Sequence, residues 1–179
     1  RELDIDEISK ISASFGNLLW LAFSGGEIFL RDDLAEINRM FYLNNRPPII
    51  LLPTNGLLPE LIMETTERIV RECSQSVIAV KLSLDGLEDD HDRIRNTPGS
   101  FAKTMETYRL LSAFIDRYPN FELGINTVFC SENQDKMDSL IDFVCGLKNI
   151  KTHTISLIRG DLAHDELKKV DTGKYHSAI

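Results

Sequence analysis

Two glycines and a carboxylate follow an apolar run in the segment WLAFSGGEIFLRDD, residues 20–33. Because they carry no Cβ, Gly25 and Gly26 permit a positive φ and let a ligand approach the backbone closely. Exposed N–H and C=O groups there could bind a zwitterion, and Glu27 could accept hydrogen bonds from its ammonium group. The segment therefore suits the amino-acid moiety of a ligand. It matches neither G-x-G-x-x-G nor a P-loop, so a phosphate site explains it poorly.

Polar residues also follow four later apolar runs, each at the point where a strand would end. They are Thr54, Asn55 and Gly56; Ser83, Asp85 and Gly86; Asn126 and Thr127; and Arg159, Gly160 and Asp161. Any one of these groups is typical of a turn, because Asn, Asp and Gly favour turn conformations. Their joint placement indicates a ligand site, because the carboxyl ends of parallel strands carry that site in α/β folds.

The third apolar run alternates between a polar and an apolar face. Lys81, Ser83 and Asp85 share one face, because successive side chains of a strand point to opposite sides. The other face carries Val80, Leu82 and Leu84. In a barrel the apolar face would pack under the helices and the polar face would point inward. A buried lysine must be paired or solvated, so a structural pair with a carboxylate and a catalytic role for Lys81 both stay open.

Three further polar side chains near the strand ends have simpler explanations. Arg159 lies at the predicted active edge, where binding of a substrate carboxylate and a structural pairing both stay open. For Arg95 the sequence favours a solvated or paired role over substrate binding. His91 follows the third apolar run and favours a surface or capping position, because a single histidine without partners is rarely a metal ligand.

Five apolar runs of strand length alternate with helical patterns along the whole chain. The predicted strands are residues 18–23, 49–52, 77–84, 121–129 and 152–158. This alternation predicts parallel strands with crossover helices, either as a doubly wound sheet or as a barrel. No linker or low-complexity segment interrupts it, so residues 1–179 are predicted to form one domain.

Composition excludes several classes of function. The net charge of −8 argues against non-specific binding to nucleic acid or to an anionic membrane. No apolar run approaches the roughly 18 residues that span a bilayer, and no signal peptide opens the chain. Three cysteines are too few and too scattered for a disulfide framework. These features predict a cytoplasmic protein with reduced thiols.

The motifs and their order resemble those of the radical S-adenosylmethionine (radical SAM) enzymes over nearly the whole chain. FSGGEIFLRDDL is similar to the Gly-Gly-Glu-Pro segment after the family's second strand, and LPTNG to the end of its third. VKLSLDGLEDDHDRIRNTPGSFAKT resembles the fourth-strand region of the branch that contains molybdenum-cofactor biosynthesis protein A and the peptide-modifying maturases. GINTVF and ISLIRGD resemble the fifth and sixth strands.

This resemblance implies a partial (β/α)6 TIM-like barrel that holds strands two to six and lacks the first. It also implies an oxidoreductase in which a [4Fe-4S] cluster reductively cleaves S-adenosylmethionine (AdoMet). The resulting 5′-deoxyadenosyl radical would abstract hydrogen from a peptide or small-molecule substrate, with an electron donor as a further partner.

The resemblance also assigns roles to individual residues. Gly25, Gly26 and Glu27 would hold the methionine amino group, and Thr54 and Asn55 would lie beside the ligand. Ser83 and Asp85 would meet the ribose, and Asn126 the ribose or the carboxylate. Leu157 and Ile158 would flank the adenine, while Lys81 and Arg159 are the weaker candidates for substrate binding.

Two departures separate this chain from the family pattern. The Cys-x3-Cys-x2-Cys motif is missing, and the scattered positions of Cys73, Cys130 and Cys145 favour structural roles. Ile28 stands where the family usually has proline. We therefore expect a core fragment trimmed at both ends, with the cluster ligands upstream of Arg1 and no activity of its own.

Two alternatives to this interpretation and one physical consequence of it stay open. A cluster-free AdoMet-binding module is the main alternative to an enzyme fragment. A metal-independent barrel lyase with Lys81 as a Schiff-base nucleophile is a remote one. The absence of the first strand would leave residues 18–23 at an open edge, which predicts dimerisation or aggregation.

Overall fold

The computed structural model describes residues 2–159 and 165–179. Five parallel strands form one sheet in chain order, namely β1 (Leu21–Ala22), β2 (Ile49–Thr54), β3 (Val77–Ser83), β4 (Phe121–Phe129) and β5 (Thr152–Leu157). The helices are α1 (Ile5–Ser14), α2 (Leu34–Asn45), α3 (Pro59–Glu72), α4 (Asp89–Ile94), α5 (Ser100–Ser112), α6 (Met137–Gly146) and α7 (Thr172–Ala178). Short 3₁₀ helices span Ile28–Leu30 and Asp165–Lys168.

The strand order decides between the two architectures that the alternation allows. A doubly wound sheet reverses its strand order at a switch point, whereas these strands follow one another from β1 to β5 without reversal. The sheet curls into a half-barrel with helices on its outer side. The predicted partial TIM-like barrel is confirmed.

Apolar side chains on the outer face of the sheet form the core against the helices. Val80, Leu82 and Leu84 are each 0% exposed, so the prediction that this face packs under the helices is confirmed. Removing each such side chain from water is worth about 1.5–3 kcal/mol. The concave face of β3 is left to Lys81 and Ser83, which are half-buried.

The first strand differs from its prediction as a buried strand over residues 18–23. Only Leu21 and Ala22 pair with β2, and the side chains of Leu19 and Trp20 are 88% and 64% exposed. Among the described residues β1 has a neighbour on one side alone. Its apolar composition is therefore that of an edge strand with an uncovered outer side, and the buried-strand prediction is wrong.

One buried amide fixes the connection from α1 into β1. Asn45 is fully buried at the end of α2, and its Nδ2 donates to the carbonyls of Ser12, Phe15 and Gly16 at 3.0 Å each. The Ser12 hydroxyl donates back to Asn45 Oδ1 at 2.8 Å. The carbonyls that α1 leaves free at its end are thus satisfied, and the chain is directed into β1.

Within the described residues, no helix has the length and apolar character that crossing a bilayer requires.

Candidate functional site

The glycine pair lies in the loop between β1 and the first 3₁₀ helix. Gly25 has φ 126°, a conformation that residues with a Cβ rarely adopt. A Cβ built on Gly25 or on Gly26 would meet no atom within 4 Å. Gly25 is therefore required by the backbone, while both glycines present bare main chain to open space.

Glu27 joins this loop to the end of β2. Its Oε2 accepts hydrogen bonds from the backbone N–H of Asn55 at 2.7 Å and from the Thr54 hydroxyl at 3.0 Å. Its Oε1 accepts from the backbone N–H of Phe29 at 3.2 Å, which caps the 3₁₀ helix. A carboxylate offers about four acceptor positions, so one position on Oε1 is left for a ligand.

The loop after β2 is held in place by α5. The Thr104 hydroxyl donates to the Asn55 carbonyl at 3.1 Å, and the Thr107 hydroxyl donates to the Gly56 carbonyl at 2.7 Å. Asn55 Oδ1 accepts from the N–H of Leu57 at 2.9 Å, which closes an Asx turn. No described residue accepts a hydrogen bond from Asn55 Nδ2, so this group can donate to a ligand.

These loops and the end of β3 enclose a cavity of about 470 Å³ at the carboxyl edge of the sheet. Its walls are Ser24, Gly25, Gly26, Glu27, Pro53, Thr54, Asn55, Ser83 and Arg95. Gly25, Gly26 and Glu27 from the first strand end, Thr54 and Asn55 from the second and Ser83 from the third are all present, whereas Gly56 is not. The structure therefore brings the motifs of three consecutive strands into one site.

Arg95 also lines the cavity, although the sequence does not predict it as a cofactor ligand. Its Nη2 forms an ion pair with Asp85 Oδ2 at 2.6 Å, so of the solvated or paired roles that the sequence favours, the structure shows the paired one. Its side chain remains 31% exposed and its buried Nε has no hydrogen-bond partner. The local pattern gives no signal for this position, because α4 has to turn the chain back toward β3 before Arg95 reaches the cavity.

Asp85 lies behind Arg95 and not on the cavity wall. Its side chain is 4% exposed, and Oδ1 accepts from the backbone N–H of Val128 at 2.7 Å. Asn133 Nδ2 donates to the Asp85 carbonyl at 2.9 Å. Both carboxylate oxygens are thus engaged by the protein, and Asp85 holds the guanidinium in place while tying β3 to the end of β4.

His91 completes the same buried group. Its ring is 1% exposed, although the sequence favours a surface or capping position. Nδ1 accepts a hydrogen bond from the backbone N–H of Asp85 at 3.1 Å, so the proton of the neutral ring is on Nε2. Burial, and then the positive charge of Arg95, lower the pKa of His91. His91 therefore supports Asp85 as a neutral acceptor.

The remaining predicted residues lie along β4 and β5. Asn126 is on the concave face, where it is in register with Ser83 and with Thr154. Leu157 packs against the core, and the N–H of Ile158 donates to the Phe129 carbonyl at 3.0 Å. None of Asn126, Leu157, Ile158 or Arg159 lines the cavity between β1 and β3.

Arg159 is exposed and is the last described residue before the gap. Gly160 and Asp161, which complete the predicted group, lie outside the described residues.

The neighbours of His153 determine which nitrogen of its ring carries the proton. The Thr127 hydroxyl donates its only hydrogen to the Leu84 carbonyl at 2.6 Å. The contact of 2.9 Å between Thr127 Oγ1 and His153 Nε2 must therefore have the ring as donor. Burial, and then the charge of Lys81, lower the pKa of His153. The neutral ring links β5 to β4.

The cysteines do not form a metal site. Cys73 ends α3, Cys130 follows β4, and Cys145 is an exposed residue of α6. Burial raises the pKa of Cys73 to about 12 and also raises that of Cys130. No three Cys, His, Asp or Glu side chains among the described residues are grouped so that they could hold a metal ion. The described residues therefore do not fit the ligand set of a [4Fe-4S] cluster.

Comparison with known proteins brings a sequence relative and several similar folds. No family model matches the chain. The antilisterial bacteriocin subtilosin biosynthesis protein AlbA of Bacillus subtilis (strain 168) is 32% identical over 96 residues, which are 53% of this chain and 20% of AlbA. Native anSMEcpe with bound AdoMet superposes with a TM-score of 0.67 at 15% identity, over 98% of this chain and 49% of that one. The predicted resemblance to the radical SAM enzymes is thus confirmed as a likeness in sequence and in fold.

A second solved structure is similar to the half-barrel of this chain. Native anSMEcpe with bound AdoMet and the Cp18Cys peptide matches with a TM-score of 0.62 and 19% identity, over 96% of this chain and 47% of that one. The chain thus spans about half the length of the solved relatives and a fifth of AlbA.

Proposed function

We propose that this chain is the AdoMet-holding part of a radical SAM oxidoreductase that modifies a peptide or a small molecule. The main support is that Glu27 and Arg95 line one cavity with opposite charges and form no ion pair with each other. A site with a separated anion and cation suits a zwitterion such as the methionine moiety of AdoMet. The AdoMet and the peptide in the solved relatives support this assignment.

The methionine moiety would occupy the cavity with each charged group facing its complement. The ammonium donates to the open position on Glu27 Oε1 and to the bare carbonyls at Gly25 and Gly26. The carboxylate accepts from the guanidinium of Arg95, whose planar fork suits that group. Asn55 Nδ2 supplies a further donor. Asp85 acts on AdoMet only through Arg95, as a positioning residue.

The nucleoside would extend from the cavity along the sheet edge toward β4 and β5. Ser83 is in register with Asn126, so their side chains offer polar contacts to the ribose on the concave face. Leu157 and Ile158 lie at the end of β5, where they would flank the adenine. Thr54 contributes through Glu27, because its hydroxyl is committed to that carboxylate.

AdoMet in this family supplies a 5′-deoxyadenosyl radical when a reduced [4Fe-4S] cluster cleaves it. We infer that the cluster ligands and the contact with an electron donor come from outside the described residues, and that the isolated chain is inactive. The test is to express the whole protein, reconstitute it anaerobically with iron and sulfide, and assay 5′-deoxyadenosine. Failure of a protein with a cysteine triad to assemble a cluster would contradict the enzymatic assignment.

The separated cysteines favour one alternative, a cluster-free module that binds AdoMet. The same experiment distinguishes the two functions. The module predicts AdoMet binding by the whole protein with no iron–sulfur absorbance and no 5′-deoxyadenosine. The oxidoreductase predicts AdoMet binding, iron–sulfur absorbance and formation of 5′-deoxyadenosine.

The open edge of β1 carries a separate proposal about the chain by itself. The unpaired side of Leu21–Ala22 and the exposed side chains of Leu19 and Trp20 form one apolar border. We propose that the isolated chain associates through this border into a homodimer, because an uncovered strand edge pairs readily with another.

A further inference from the structure

A lysine lies flat on the concave face of the half-barrel, below the cavity. Lys81 is in register with Gly124 of β4, which is in register with Thr152 of β5. The Nζ of Lys81 donates a hydrogen bond to Thr152 Oγ1. The side chain therefore crosses a whole strand to reach its partner.

Gly124 makes this path possible. A Cβ at Gly124 would lie 2.7 Å from Lys81 Nζ, 2.9 Å from its Cδ and 2.7 Å from Thr152 Oγ1. Glycine weakens a strand interior and marks places where another group approaches the backbone closely. Here that group is the lysine side chain, so Gly124 and Thr152 together fix where the ammonium lies.

Among the described residues, the ammonium of Lys81 has no ion-pair partner. Glu122, the carboxylate that acts on it electrostatically, is instead paired with Lys151 at 3.7 Å. Burial lowers the pKa of Lys81, and the charge of Glu122 opposes this shift. An ammonium has three donors, of which Thr152 takes one. A half-buried cation must be solvated or paired, so its free donors can bind an anionic ligand in place of water.

The position of Lys81 relates it to the proposed cofactor. Lys81 and Ser83 are two residues apart on the same face of β3, a rise of about 6.6 Å along the strand. The row of residues between Lys81 and the cavity is polar, since Ser83, Asn126 and Thr154 lie side by side. A molecule bound above this floor would reach both the nucleoside end of AdoMet and the ammonium.

We propose that Lys81 binds a carboxylate of the substrate, so that the substrate is an acidic peptide or a small acid anchored on the concave face. The assignment to the substrate rests on the proposed function. Gly124 and Thr152 are positioning residues for the ammonium. Both an acidic side chain and a C-terminal carboxylate supply this chemistry.

The test uses three small ligands and follows backbone amide shifts of the chain by NMR. N-acetyl-glutamate α-amide carries only a side-chain carboxylate, N-acetyl-glutamine only a C-terminal one, and N-acetyl-glutamine α-amide carries none. The wild type should bind at least one of the acids about tenfold more tightly than the diamide, with shifts centred on Lys81, Gly124 and Thr152. The acid that binds more tightly identifies the source of the carboxylate.

Variants separate charge from position. Lys81→Met should abolish the preference for acids, and Lys81→Arg should retain most of it. Gly124→Ala keeps the charge but displaces the ammonium, and should reduce the preference. Equal binding of acids and diamide by the wild type, or an unchanged preference in Lys81→Met, would overturn the inference.

AdoMet binding measured on the same variants keeps the two proposals distinguishable. Lys81→Met should bind AdoMet as the wild type does, because Lys81 does not line the cavity. Loss of AdoMet binding in Lys81→Met would assign the lysine to the cofactor and overturn its role toward substrate. If Lys81→Met loses the preference for acids while AdoMet binding stays intact, the role of the lysine toward substrate is supported. A wild type that fails to bind AdoMet contradicts only the proposed function.

Discussion

Glu27 and Arg95 lie in the walls of one cavity, and each is held by a different part of the fold. Glu27 accepts from the backbone N–H groups of Asn55 and Phe29, while Arg95 is paired with the buried carboxylate of Asp85. The two opposite charges are therefore kept apart by the protein itself. Separation has a cost in lost attraction, and a zwitterion placed between them would recover it.

Replacing Arg95 tests the cationic half of this arrangement. Arg95→Met should weaken AdoMet binding by about 10- to 100-fold, because a charged donor to the carboxylate is lost. It should also lower the free energy of unfolding, since Asp85 would stay buried without its cation. Calorimetric titration and chemical unfolding measure the two effects. Arg95→Lys, which keeps the charge without the planar fork, should fall between wild type and Arg95→Met in affinity.

Glu27→Gln tests the anionic half of the site and the contribution of Glu27 to stability. The amide group would face either Phe29 N–H or the two donors at Asn55 and Thr54, so at least one donor loses its acceptor. We expect the free energy of unfolding to fall by about 1–3 kcal/mol and AdoMet affinity to fall as well. Titration with AdoMet and urea unfolding provide the measurements. An unchanged affinity would show that the ammonium is held elsewhere.

The glycine pair offers a matched comparison. Gly25→Ala should cost about 1–3 kcal/mol of stability, because a φ of 126° is unfavourable for alanine. Gly26→Ala should leave stability unchanged, because its Cβ meets no atom within 4 Å. It should nevertheless weaken AdoMet binding if the ligand approaches the backbone there. Thermal unfolding and titration of both variants separate the two effects, and equal stability losses would contradict this account.

Acid should destabilise the protein through its buried histidines. The pKa of His91 is lowered by burial and then by Arg95, so the unfolded state binds the proton more readily. The contribution of His91 to stability is complete above its unfolded pKa of about 6.5 and is lost as the pH falls through the lower folded value. Urea unfolding between pH 7.5 and 5.0 should show this loss.

His91→Asn is the control for this pH dependence. Its Oδ1 can accept from Asp85 N–H without titrating, so the variant should show a shallower loss of stability below pH 6.5 than wild type. His153 also has a lowered pKa and should retain its own contribution. An identical slope in His91→Asn would exclude His91 as a source of the effect.

The exposed edge predicts association of the isolated chain. Trp20→Glu adds a charge beside β1 and should shift the chain toward monomer, because charged edge residues oppose strand pairing. Light scattering after size-exclusion chromatography, over a range of concentrations, measures the change. A wild-type chain that remains a monodisperse monomer throughout would refute the edge association.

Local patterns in the sequence predict most of the sheet, but they do not predict where side chains beyond the strand ends point. Alternation correctly assigns Lys81 and Ser83 to one face and Val80 and Leu82 to the other, because the period of two holds inside β3. Asp85 follows the strand, so that period no longer determines where its carboxylate points. Contacts with β4 and Arg95 decide it instead.

The cavity shows the same limit. The motifs at Gly25–Glu27, Thr54, Asn55 and Ser83 are local and could be read in order. Arg95 enters only after α4 brings it back, a tertiary event without a local signal. The exposure of Trp20 likewise depends on whether another strand covers β1, which composition does not reveal.

The most direct test of the central claim compares AdoMet with 5′-methylthioadenosine, which has the same nucleoside and lacks the amino-acid group. We expect the chain to bind AdoMet at least about tenfold more tightly, and Arg95→Met and Glu27→Gln each to reduce that ratio. Equal affinity of the wild type for the two compounds, or a ratio unchanged in both variants, would contradict the assignment of the Glu27–Arg95 cavity to a zwitterion.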